Sequence, residues 1–193
     1  TPLSLAMLRD IRPSCVLDLT ATPVQQKTNI LYSVSARELE AEAMIKLPIM
    51  LAEHKTSWQE AVRDALLRQK QLEAEAAHED EYLRPIVLFQ AQDKGSEVTT
   101  QVLKAHLLAE HAIPEREIAV ATGNQRELDG VNLFDRACPV RYVITVDALK
   151  EGWDCSFAYI LCTTQNLRSN VAVEQLLGRV LRMPYAKRRK SPA

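Results

Sequence analysis

Pro85-Ile86-Val87-Leu88-Phe89 opens the part of the chain that decides its fold. The apolar run is short and has no polar alternation, the pattern of a strand buried on both faces. Similar runs follow at Glu117-Ile118-Ala119-Val120-Ala121, at Tyr142-Val143-Ile144-Thr145-Val146 and at Ala158-Tyr159-Ile160-Leu161-Cys162. Helical periodicity separates or follows them, over Val98 to Glu110 and Val171 to Arg182. Upstream, Ser57 to Ala77 reads as a longer helix. Trp58, Val62, Ala65, Leu66, Leu72 and Ala76 form its apolar stripe, and Ser57 with Glu60 suggests a capping box. Short apolar strands alternating with helices predict an α/β fold, a parallel sheet with helices on both faces. Ligands of such sheets sit outside the carboxyl ends of the strands.

Nearer the start, Leu3 to Arg9 reads as a short helix stopped by Pro13. Cys15 to Leu19 and Ile30 to Val34 read as strands, and Ala36 to Glu53 as a helix broken near Pro48.

The 193 residues are 47% hydrophobic and 25% charged, ordinary globular values, and the net charge is -1. Bulk charge thus gives no sign of a nucleic-acid binder; such a site would have to be a local patch. No apolar run approaches the ~20 residues that span a bilayer, and no secretory leader is expected, so no membrane partner and a cytoplasmic location are expected. Cys15, Cys138, Cys155 and Cys162 lack zinc-type pairing and read as reduced thiols. His54, His78, His106 and His111 have no ligand spacing, so no metal ligands are expected among the candidate residues.

The strongest chemical signal is Gln175-Leu176-Leu177-Gly178-Arg179-Val180-Leu181-Arg182. At about 100° per residue, Gln175, Arg179 and Arg182 fall within about 60° of arc, opposite Val173, Leu176, Leu177 and Val180. Two arginines one turn apart suit a phosphate chain, since each offers a fixed fork of donors and a permanent charge. Gly178 beside them allows close approach. An ordinary solvated helix face is the equal alternative on this segment alone.

Gln-x-x-Gly-Arg-x-x-Arg resembles motif VI of superfamily-two helicases. Thr145-Val146-Asp147-Ala148-Leu149-Lys150-Glu151-Gly152-Trp153-Asp154 resembles their motif V, in a form similar to the type III restriction enzyme branch and related DEAD/DEAH-box proteins. Thr20-Ala21-Thr22 resembles motif III. The resemblance covers nearly the whole chain, with residues 35–84 matching only in general pattern. It implies a second RecA-like lobe of the P-loop NTPase type. Residues 1–24 would be the end of a first lobe, 25–29 a linker, 30–185 the second lobe and 186–193 a basic tail.

The resemblance also assigns roles. Arg179 and Arg182 would contact the ATP γ-phosphate from across a cleft, with Gln175 helping to position the nucleotide and its water. Gly152 and Asp154 would meet the nucleotide, Asp154 through the ribose hydroxyls. Thr145 would donate to a nucleic-acid phosphate, and Thr20 and Thr22 would couple nucleotide state to grip. From the residues themselves, Thr122-Gly123-Asn124 leaves a strand and either gives backbone donors to phosphate or makes a plain turn. Phe89-Gln90 ends a strand at the place of the family's fourth motif, and no role is assigned to Gln90.

The Gly-x-x-x-x-Gly-Lys-Ser/Thr loop and the acidic magnesium pair of such motors are absent from these residues. ATP and Mg2+ would therefore be bound mainly by a first RecA-like lobe, and this piece alone is expected to be inactive. The implied partner is nucleic acid, with DNA favoured over RNA by the Gly-Trp-Asp form. A nuclease or modification partner is implied in the restriction-enzyme branch. Two other classes remain open: a non-catalytic RecA-like interaction module, and another nucleotide-using α/β enzyme such as a transferase.

Overall fold

The computed structural model describes residues 7, 10–20, 29–123, 125–146, 155–165, 178 and 180–187. The chain divides into two compact units, Thr1–Val34 and Ser35–Ala193. In the first, the strands expected at Cys15–Leu19 and Ile30–Val34 are not formed. The residues are irregular, with Leu17 71% and Leu31 76% exposed. An apolar pentapeptide becomes a strand only where a neighbour takes its backbone N–H and C=O groups, and no ladder reaches these segments.

The second unit is α/β. Its elements are α1 (Ala36–Ala41), α2 (Trp58–Ala76), β1 (Ile86–Gln90), α3 (Thr100–Ala109), β2 (Ile118–Ala121), β3 (Tyr142–Thr145) and β4 (Ala158–Thr163). Short 3-10 turns lie at Glu115–Glu117 and Pro184–Ala186. The strands form one four-stranded sheet in the order β2-β3-β1-β4, and every pairing is parallel. This is the α/β layout expected of a RecA-like lobe.

Alternation along the strands sorts the core into two layers. Val87, Phe89, Val120 and Ile144 meet Val62 and Leu66 of α2 and Leu103 and Leu107 of α3. Ile86, Leu88, Ala119 and Val143 meet Leu133, Val140, Cys155, Phe157 and Val180 on the other side. So α2 and α3 share one face, while the stretches after β2 and β3, together with Val180, cover the other.

Helix starts follow local chemistry. The Ser57 hydroxyl accepts from Glu60 N–H at 3.2 Å, and Thr99 caps α3 in the same way. The Glu60 carboxylate accepts from Thr56 Oγ1 at 2.6 Å. A full capping box instead starts α1, between Ser35 and Glu38.

The helix expected from Ala36 to Glu53 is only six residues long. Ala43 takes φ 56, and the Ala43 and Met44 N–H groups turn back to the Glu40 and Leu39 carbonyls at 2.9 and 2.8 Å. This is a Schellman stop with alanine in place of the usual glycine. The cost of left-handed alanine, about 1–2 kcal/mol, has to be met by tertiary contacts.

The rings of Trp58 and His106 meet edge to face at 4.7 Å, and those of His106 and His111 at 5.0 Å. Desolvation and His106 hold the His111 imidazole below its usual 6.5; Lys70 and Arg63 push the same way and Glu110 opposes them. The unfolded chain therefore takes up this proton more readily than the folded one. The stability contributed by neutral His111 is complete above the unfolded value and is lost as pH falls from there toward the lowered folded value. Thermal melts over that acid range should show a steeper decline for the native chain than for His111→Asn. Parallel declines would remove His111 as a source of acid sensitivity.

Candidate functional site

The strand order sets the place of the site. The chain leaving β1 crosses the α3 face to reach β2, whereas the chain returns the other way across the sheet after β2 and β3, with Leu133 and Val140 after β2 and Cys155 and Phe157 before β4 on the opposite face. Uniformly right-handed crossovers require this separation of faces. Neighbouring strands β1 and β3 thus send their connections in opposite directions, and the crevice outside their carboxyl ends is the topological switch point. Gln90 and Thr145 end the two strands there, paired in register.

That edge is closed by neutral amides and hydroxyls. Gln165 Nε2 donates to Ala91 O at 2.6 Å and to Val146 O at 2.8 Å, bridging the exits of β1 and β3. Gln90 Nε2 reaches Val146 O and Gln165 Oε1, each at 3.4 Å. Gln90 Oε1 accepts from Thr163 Oγ1 at 3.0 Å. Gln92 Nε2 donates to Thr164 O at 2.8 Å. These contacts fix Val146, from which the chain continues toward Asp154. Burial pushes the Cys162 thiol up to about 12, so it stays protonated and offers no nucleophile at this edge.

Thr145 is 2% exposed, and by alternation lies on the face of Val143. Thr122 is committed to a turn: its N–H donates to Gln125 O at 2.7 Å and its hydroxyl accepts from Gln125 N–H at 3.1 Å. Of the two readings of this loop, the turn describes Thr122; Gly123 beside it is exposed. Thr20 is exposed in irregular backbone of the first unit. Thr22, Gly152, Asp154, Gln175 and Arg179 lie outside the described residues.

Arg182 departs from expectation. Gly178 and Val180 are helical, but Leu181 is a bend and Arg182 forms an antiparallel bridge with Ile45. Arg182 is therefore not helical, as a shared helix face with Gln175 and Arg179 would require. Pro184 explains part of this, since the residue before a proline is driven to extended backbone, and Met183 has φ -71 and ψ 130. At Gly178 an added Cβ would meet nothing within 4 Å among the described residues beyond its chain neighbours and its own helix backbone.

No protein family, curated protein or solved structure matches this chain. Among the described residues no group of three or more His, Cys, Asp or Glu could hold a metal ion, and no helix is long and apolar enough to cross a membrane.

The reading of the sequence missed Gln165 and Gln92 and left Gln90 without a role. Polar residues just past apolar strands were the available signal, but which strand ends meet depends on strand order. A Gln165→Leu variant removes two donors from the carbonyls of Ala91 and Val146. It is expected to lose about 1–3 kcal/mol of unfolding free energy in urea titrations. A loss of only a few tenths would mean that water takes the place of the amide.

Proposed function

We propose that the second unit is the C-terminal motor lobe of an ATP-dependent nucleic-acid helicase or translocase. It would supply arginine fingers to an ATP site shared with a first RecA-like lobe. The observation that carries the reading is that β3 ends at the switch point, so the segment resembling motif V starts where an open parallel sheet places its ligand. Gly178 lends support. Glycine inside a helix costs about 1 kcal/mol against alanine, and among the described residues none packs where its Cβ would lie. A phosphate or an opposing lobe approaching Arg179 would account for it.

In this mechanism ATP closes two lobes, hydrolysis reopens them, and two strand-gripping surfaces alternate so that the protein steps along nucleic acid. The nucleotide and Mg2+ would be held mainly by the first lobe. Gly152 and Asp154 would contact the nucleotide, while the Thr122-Gly123 turn, next to the buried end of β3 at Thr145, would lie toward the nucleic acid. With Thr122 N–H committed to the turn, the exposed Gly123 is the freer of the two to approach a phosphate.

The test is ATP turnover by the two-lobed parent with and without single- and double-stranded DNA and RNA. Stimulation by nucleic acid that weakens steeply with salt is expected, because phosphate contacts release counterions. Absence of turnover would favour a RecA-like interaction module instead.

A further inference from the structure

Residues 44–46 clasp residues 180–183. Lys46 N–H donates to Leu181 O at 2.6 Å, and Met183 N–H to Met44 O at 2.9 Å, around the Ile45–Arg182 bridge. The Lys46 side chain is buried at 6% exposure. Its Nζ donates to Val180 O at 2.6 Å and to Ala158 O at 2.7 Å, and it lies 4.1 Å from the centre of the Tyr159 ring. One ammonium thus joins the end of the helical stretch at Val180 to the first two residues of β4.

The chemistry suits the place. Carbonyls at a helix end carry partial negative charge and favour a cation, and an aromatic face adds to the attraction. Burying an ammonium is nevertheless costly even when it is hydrogen-bonded, and a methionine there would fill the volume without that cost. What the ammonium adds over methionine is fixed geometry between two carbonyls.

We propose that Lys46 is a positioning residue for motif VI. It sets where the helical stretch through Val180 stops and turns Arg182 onto extended backbone, in fixed register with β4. The clasp holds the backbone on which Arg182 is mounted, and Arg179 precedes Val180 directly in sequence. The assignment to motif VI rests on the motor reading above, whereas the clasp itself does not.

The test compares Lys46→Met with the native residue in the two-lobed parent. Hydrogen exchange should accelerate at the amides of Lys46 and Met183 in the variant and stay unchanged in α2 and α3. The kcat for nucleic-acid-stimulated ATP turnover should fall ~10²-fold, the scale of a misplacement of about 1 Å, with KM for ATP little changed. Lys46→Gln keeps a neutral donor and should show the same changes to a smaller degree; it stands in if the methionine variant does not fold. Unchanged exchange at Lys46 and Met183 would overturn the clasp, whatever the activity. Faster exchange with native kcat would overturn the positioning role. A native parent without turnover would overturn the motor reading and with it the motif VI role, while the exchange data would still decide the clasp.

Discussion

On the proposed motor function, replacing Arg179 by alanine in a two-lobed parent is expected to lower nucleic-acid-stimulated ATP turnover by ~10³-fold or more. An arginine that meets the transferring phosphoryl group is worth ~10³–10⁵ in rate, which corresponds to roughly 4–7 kcal/mol. The loss should fall on kcat rather than on KM, because the charge spreading over the phosphoryl oxygens develops in the transition state. Arg179→Lys should recover little, since an ammonium keeps the charge but not the planar fork. Single-turnover measurements beside nucleotide-binding titrations would separate the two effects. Turnover indifferent to both substitutions would dismiss the arginine finger and with it the main chemical argument for a motor.

The largest effect on stability is expected at Arg84. Its side chain is 2% exposed. Nη2 donates to Leu133 O at 2.6 Å and Nη1 to Asp135 O at 3.2 Å, to the Tyr82 hydroxyl at 2.9 Å, and to Cys138 O. One guanidinium therefore organises the loop that brings Leu133 and Val140 to the second core layer. Arg84→Met keeps much of the volume but leaves several carbonyls without their donor. At about 1–3 kcal/mol for each buried group left unsatisfied, and with some carbonyls reaching water after relaxation, about 3–5 kcal/mol should be lost. Urea unfolding monitored by far-UV circular dichroism would measure it. A loss below about 1 kcal/mol would show that the loop reorganises and rehydrates at little cost.

The strands of the second unit were legible because a strand buried on both faces has a local signature. Ile86–Gln90, Ile118–Ala121, Tyr142–Thr145 and Ala158–Thr163 all lie on the expected apolar runs, to within a residue or two at their ends. The start of α2 was legible for a similar reason, since a capping hydroxyl acts within three residues of itself; α3 starts two residues after the expected Val98, where Thr99 caps it. Cys15–Leu19 has an equally apolar run and formed no strand. Apolarity marks a candidate, whereas a ladder partner makes the strand.

By itself the sequence marked the class of the fold, the strand candidates and the capped start of α2, all of which show in patterns across a few residues. It also supplied the ordered motifs on which the proposed function stands. Only the tertiary structure decided the strand order, the switch point between β1 and β3, the short α1 and the removal of Arg182 from its helix. The decisive contacts there run from side chains to distant backbone carbonyls. Lys46 reaches across 112 and 134 residues to Ala158 and Val180, and Gln165 across 74 to Ala91. A carbonyl oxygen has the same chemistry at every residue, so no sequence pattern marks which one a buried amine or amide will find.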